Sequence, residues 1–407
     1  MIYDLLIAGG TIITGDGPRQ QQIAIKNGKI QELLPNDQNP QALKQYQADG
    51  CYIFPGGIDV HVHMEDLGTE EVEDWRHGSY AAASGGVTTV VDMPIDCVPS
   101  TVTAENVRKK LRRIQGKSYV DYLLWGGLSG KNLNEIPGML KEGVVGLKSF
   151  LVECGIGDYP MTTDDVLEKA MQMAAEMDFP IMIHAESEAL NQKYTNIYAK
   201  SRDYKDWTYM HPIEGETEAV SRCIYYAKKT GARIHIAHVS NGRTLDVIRR
   251  AKREKVRITC ETCPHYLYFT EDDYKKKGAY LKCAPPVRTM EDREYLWRGI
   301  KDRTIDMVSS DHSPSLFQEN GPYVKDAWAG VSGLQQSLLV LYEEGYIKRG
   351  IKLSTIADVF SGSAAKLLGV EYKKGSIEVG KDADLAIMDP AAKTLFQKSN
   401  IETKRKE

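Results

Sequence analysis

Short apolar runs recur through the middle of the chain, and polar residues able to do chemistry close them. Strand candidates occupy 57–63, 87–93, 119–127, 144–150, 180–186, 233–239, 257–262 and 305–311. Each is rich in β-branched or aliphatic residues and short enough to be a buried strand. Between them lie stretches with helical spacing of apolar positions, such as Ala104–Ile114, Thr163–Met177, Glu216–Lys229 and Thr244–Lys255. Strands alternating with helices in this way predict an α/β protein built on a (β/α)8 TIM barrel. Catalytic groups in such barrels gather at the C-terminal ends of the strands.

The two ends of the chain follow a different pattern. Asp4-Leu5-Leu6-Ile7-Ala8 and Ile23-Ala24-Ile25 are short alternating runs, and Lys26-Asn27-Gly28-Lys29 is a hairpin signal. A matching signature returns in Gly375–Gly380 and Ala383–Met388. These pieces are expected to build one small β-sandwich domain from both termini. The expected division is 1–50 and 370–407 for that domain and 51–369 for the barrel.

Composition narrows the function classes. Hydrophobic residues are 42% and charged residues 27% of 407, so the chain has the means to bury a large core. A net charge of −4 gives no electrostatic reason to expect nucleic acid or an anionic membrane as partner. No apolar stretch reaches membrane-spanning length, and Met1-Ile2-Tyr3-Asp4 lacks the basic segment of a secretory signal. Seven scattered cysteines, an odd number, argue against a disulfide framework and for a reducing cytoplasm. Cys260-Glu261-Thr262-Cys263 has no second C-x-x-C to pair with, so it reads as ordinary strand.

The candidate chemistry sits at the strand ends. Gly57-Ile58-Asp59-Val60-His61-Val62-His63 puts two imidazoles on one face, because side chains two apart in a strand point the same way. Later runs end in Lys148, His184, His238 and Asp311. Imidazoles, a bridging anionic group and one free carboxylate are the inventory that two divalent ions require. Lys148 is either a snorkelling surface lysine or a covalently altered one. A deprotonated lysine amine can take up CO2 to give an anionic carbamate that bridges two cations. Asp311 could cap a helix instead, but Pro314 and the glycine-containing stretch near 321 predict a loop first. By alternation His235 points away from His238. It and His77, His211, His265 and His312 are read as structural, hydrogen-bonding or surface residues.

These residues together resemble the amidohydrolase superfamily, and more narrowly its cyclic amidohydrolases. Gly146–Leu151, Glu261–Leu267, Lys282–Arg288, Ser310–Pro314 and Ala327–Gln335 are similar to allantoinases. Glu65–Thr69 with Val72-Glu73-Asp74-Trp75 leans toward hydantoinases and dihydropyrimidinases. Met64 stands where dihydroorotases carry a carboxylate-binding arginine.

The resemblance implies two divalent metal ions, zinc foremost, with manganese, cobalt, iron or nickel as alternatives. His61, His63, carbamylated Lys148 and Asp311 would hold one ion, and Lys148, His184 and His238 the other. Asp311 would be the general base and acid. Substrate contacts are expected at Leu67, Asp96, Ala284 and Trp328, where Ala284 and Trp328 offer backbone groups. The implied activity is ring opening of a small cyclic ureide or amide, foremost allantoin to allantoate. A related hydantoinase activity is the first alternative, and a non-catalytic scaffold is a rival that would have lost metal ligands. A homotetramer is implied as well. The family pattern continues past Pro390 with a β-rich segment. Here Ile401–Glu407 is a charged stretch expected to fray.

Overall fold

The computed structural model describes residues 2–314 and 322–406. The stretch near 321 expected as loop therefore lies largely outside the described residues.

The N-terminal strands are β1 (Tyr3–Ala8), β2 (Thr11–Thr14), β3 (Gly17–Lys26), β4 (Lys29–Pro35), β5 (Ala42–Gln47) and β6 (Tyr52–Pro55). β3 and β4 form the predicted hairpin, pairing Lys26 with Lys29. Its two turn residues, Asn27 and Gly28, have φ of 53° and 71°. That left-handed geometry suits the twist of a two-residue hairpin, and asparagine and glycine tolerate it best. Alternate residues of this sheet, Ile12, Ile23, Ile25, Ile30 and Ile53, bury into a core of their own.

The alternating segments form the barrel. Its strands are β7 (Gly57–Val62), β8 (Val87–Asp92), β9 (Asp121–Leu124), β10 (Gly126–Leu128), β11 (Leu147–Phe150), β12 (Pro180–His184), β13 (Arg233–Ile236), β14 (Ile258–Thr262) and β15 (Met307–Val308). β9 and β10 are two pieces of one staggered strand, which gives eight positions around the barrel. All neighbouring pairs are parallel. The ring closes where Val62 bridges His312 and the His63 amide donates to the His312 carbonyl at 2.8 Å. Gly146 is required just before β11, because a Cβ there would lie 2.3 Å from the Pro180 carbonyl oxygen at the start of β12.

Helices follow the strands and start on side-chain caps. Asp74, Thr103, Asn241 and Thr289 each accept a backbone N–H of the first helical turn. The outward strand residues Leu147, Ile181, Ile183, Ile234 and Ile236 pack against helical Leu167, Ala170, Val220, Leu245 and Ile248. The opposite faces of the same strands are left for the site.

β16 (Leu385–Met388) returns to pair antiparallel with β6, so both ends of the chain share one sheet. Among the described residues, 401–406 are partly or fully buried and do not fray. Thr403 is 2% exposed, and the Lys404 amide donates to the buried Glu73 carboxylate. The expectation of a frayed end is corrected: a charged segment docks here because buried carboxylate and amide groups stand ready to pair with its backbone.

Candidate metal centre

The six predicted ligands lie on or just past their barrel strands, and a chain of pairwise contacts links them around His61, His238 and Asp311. Oδ1 of Asp311 is 3.0 Å from His61 Nε2 and 3.3 Å from His63 Nε2. Lys148 Nζ is 3.3 Å from His61 Nε2. The His238 ring centre lies 5.4 Å from that of His61 and 4.6 Å from that of His184. Donor atoms of His61, His238 and Asp311 lie within 4.8 Å of one another, close enough to share an ion. His184 joins the group through His238.

Each imidazole has a carboxylate behind it, or a ring nitrogen left without a partner. Glu261 Oε1 is 2.5 Å from His61 Nδ1, Asp96 Oδ2 is 2.6 Å from His63 Nδ1, and Glu186 Oε2 is 2.8 Å from His184 Nε2. A carboxylate on one ring nitrogen fixes the tautomer and leaves the other nitrogen free to bind a cation. The fourth ring, His238, is fully buried, and its Nδ1 has no hydrogen-bond partner among the described residues. A buried imidazole is costly in that state unless something else satisfies it. The residues therefore fit a metal centre.

Electrostatics agree with most of the donor set; the exception is His63, where burial opposes the charge but Asp311 and Asp96 outweigh it and raise the imidazole to about 10. Lys148 has no exposed surface, and burial brings its amine down to about 8. A lysine poised there supplies the free amine that CO2 requires. Burial likewise holds His238 well below the ordinary imidazole range, so it is a neutral donor. Burial opposes ionisation of Asp311, but His61, His63 and His238 outweigh it and hold the carboxyl well below its usual range. Glu261 and Glu186 are kept ionised in the same way by the histidines they face.

The backbone is strained at this end of the barrel. Glu65, Leu67, Asp96, His238 and Asp311 all have positive φ, from 35° to 133°. Non-glycine residues adopt this region only where their surroundings over-determine it, as at functional sites.

The expected substrate contacts are less closely gathered. Asp96 faces His63. Leu67 is half-buried in the loop after β7, and its carbonyl accepts the Val98 amide. Ala284 is half-buried and Trp328 exposed. The two loops are tied by Lys282, whose buried amine donates to the Ala327 carbonyl and sits 3.8 Å from the centre of the Trp207 ring.

Alternation misplaced His235. The register Lys148–Met182–His235 puts it on the same face as Lys148, where it meets Glu261 Oε2 at 3.3 Å. The argument fails because β13 stops at Ile236 and His238 has φ 35°. The other ring nitrogen of His235, Nδ1, lies 2.8 Å from Thr259 Oγ1, so both ring nitrogens face residues other than the six candidates. Sequence reasoning also missed Asp59, Glu186, Glu261 and His211 as supports. Asp59 accepts the Ser310 and His61 amides, and Glu186 Oε1 is 2.8 Å from His211 Nδ1.

Comparison with known proteins shows the family. The family model described as "Amidohydrolase family" matches residues 52–406. The chain is 39% identical over 405 residues to an allantoinase of Bacillus velezensis, covering 98% of this chain and 88% of that one. It is 36% identical over 391 residues to an allantoinase of Deinococcus radiodurans, covering 95% and 87%. Among solved structures, the L-hydantoinase (dihydropyrimidinase) of Arthrobacter aurescens superimposes with a TM-score of 0.95 at 31% identity, covering 100% and 91%. The dihydropyrimidinase of Brevibacillus agri gives 0.90 at 26% identity, covering 98% and 89%. No helix among the described residues is long and apolar enough to cross a membrane. With nearly its whole length matched and a donor set that fits a metal centre, the chain belongs to the amidohydrolase family.

Proposed function

We propose that this enzyme hydrolyses a carbon–nitrogen bond in the ring of a small cyclic ureide, with allantoin as substrate and allantoate as product. The linked cluster of four imidazoles, one buried lysine and one ionised aspartate supports the hydrolytic part. The choice of ring is supported by the allantoinases that the sequence resembles at 32% to 39% identity.

His61, His63, Lys148 and Asp311 would hold one divalent ion, and Lys148, His184 and His238 a second, zinc being the first choice. Bound ions would supply Lewis acidity toward the ring carbonyl and a water nucleophile at neutral pH. The Lys148 amine would add to CO2 and lose a proton, giving a carbamate with two oxygens to share between cations. Glu261, Asp96 and Glu186 hold three imidazoles in one tautomer and orientation. Asp311 accepts a proton from the attacking water and returns it to the departing ring nitrogen, so the C–N bond breaks without a free amide anion. The reading extends to a homotetramer in the cytoplasm.

A second reading, hydantoin or dihydropyrimidine hydrolysis, is supported by the TM-score of 0.95 with the Arthrobacter aurescens enzyme. Metal-loaded protein assayed on allantoin, hydantoin, dihydrouracil and dihydroorotate separates the two. Allantoin is expected to give the highest kcat/KM and dihydroorotate the lowest. A higher value for hydantoin or dihydrouracil favours the second reading, and a higher value for dihydroorotate overturns both.

A further inference from the structure

Glu73 is a buried carboxylate that the proposed reaction does not use. It has no exposed surface, and an ionised carboxylate in that position is costly without partners. Its partners come from three separate parts of the chain. The Asp74 amide donates to Oε1 at 3.0 Å. His312 Nε2 lies 3.2 Å from Oε2. The Lys404 main-chain amide donates to both oxygens, at 3.2 and 3.3 Å.

His312 links this carboxylate to the site. It follows Asp311 directly, its carbonyl accepts the His63 amide, and its own amide donates to Ser310 Oγ at 3.1 Å. It also bridges Val62 on one side and Val331 on the other. The Glu73 contact holds the His312 ring, and a shift of His312 as a whole would be felt by the main-chain contacts that carry both His63 and Asp311. Asp311 has φ 47°, a conformation that neighbouring contacts must enforce.

The segment that reaches Glu73 is itself anchored. Gln335 Nε2 donates to the Asn400 carbonyl at 2.8 Å, and the Glu402 amide donates to Gln335 Oε1 at 3.1 Å. Lys404 Nζ lies 3.2 Å from Asp74 Oδ2 and donates to the Glu70 carbonyl. Both side-chain contacts are to the loop that contains Glu73.

We propose that Asn400–Lys404 is a positioning strap for Asp311, acting through the Lys404 amide, the Glu73 carboxylate and the His312 ring. Glu73 and Lys404 are positioning residues, since they reach Asp311 only through His312. The proposal rests on Asp311 as the group that moves the proton, and the test separates the two.

Lys404→Pro removes the one N–H that Glu73 accepts from the strap, because proline has no amide hydrogen. In metal-loaded full-length protein it is expected to lower kcat by about 10-fold, the usual effect of losing a group that orients a site residue. KM is expected to stay at the parental value, and rates are compared at equal measured metal content, because His63 and Asp311 are both proposed ligands. Glu73→Gln reads the same link from the other side and is expected to behave alike. Lys404→Ala keeps the amide and loses only the Nζ contacts, so its kcat is expected to fall less. Thermal melts establish that every variant is folded at the assay temperature. Parental kcat in Lys404→Pro or in Glu73→Gln overturns the strap. So do equal losses in Lys404→Pro and Lys404→Ala, or a loss confined to KM. Asp311→Asn, assayed alongside, tests the underlying reading: a parental rate there overturns the role of Asp311 itself, whereas a lost rate there with parental kcat in Lys404→Pro overturns the strap alone.

Discussion

Oδ2 of Asp96 lies 2.6 Å from Nδ1 of His63, and both side chains are buried. The carboxylate thus faces an imidazole proposed as a metal ligand. Asp96→Asn is expected to weaken metal binding by about 10- to 100-fold, as loss of a ligand's orienting carboxylate does. KM at full metal occupancy should change little. Metal titration of the apoprotein with parallel kinetics measures both. A raised KM with parental metal affinity would return Asp96 to the substrate pocket.

Lys148 predicts a pH dependence. Burial lowers its amine to about 8, so the free amine accumulates as pH rises through that value. Only the free amine adds CO2. Reactivation of metal-free enzyme by zinc at a fixed concentration of dissolved CO2 should therefore speed up between about pH 7 and pH 9, and level off above. Lys148→Ala should leave only background activity, and a short carboxylic acid should restore part of it. Reactivation independent of pH across this window, or of dissolved CO2, would argue against the carbamate.

Asp311→Asn should keep much of the metal and lose turnover. An amide still coordinates weakly but cannot take a proton from water. The expected fall in kcat is about 100- to 10,000-fold, the range that general acid–base catalysis supplies. Metal analysis and steady-state rates on the same preparation decide the matter.

His265 predicts acid sensitivity of the fold. Both its ring nitrogens are buried without hydrogen-bond partners among the described residues, and burial lowers it from 6.5 to about 4. Its neutral form belongs to the folded state, so its contribution is complete above pH 6.5 and is lost as pH falls toward 4. The size is roughly 3 kcal/mol at most. Urea midpoints measured from pH 7 to pH 4 should fall less steeply in His265→Phe. An unchanged slope would show that other groups carry the acid response.

The barrel was readable because two kinds of signal coincided. Ile181-Met182-Ile183-His184 shows both its burial and its ligand, since alternation fixes the face and the strand end fixes the place. The same holds for His61, His63 and Lys148. The supports were harder to read. Nothing near Glu73 in sequence shows that His312 and Lys404 will be its partners, because only the closed barrel brings them together. The contact of Asp96 with His63 was hidden for the same reason: the two follow different strands. His235 was misjudged where a local rule was extended past the end of β13. Strand pattern is a local property, whereas the choice of polar partner is settled by tertiary structure.

The pairing of Tyr52 with Met388 sets a schedule for the nascent chain. β6 leads straight into β7, the first barrel strand, yet its second edge stays open until β16 is made. A ribosome adding about 5–20 residues per second needs roughly half a minute to supply the stretch between them. Throughout that time Ile53 and Phe54 sit on an uncovered edge, the kind that recruits other chains. The barrel can assemble as it emerges, but the sheet at its base is completed only after translation has passed Met388. Yield in cells should therefore depend on chaperone supply and growth temperature even where the finished enzyme is stable.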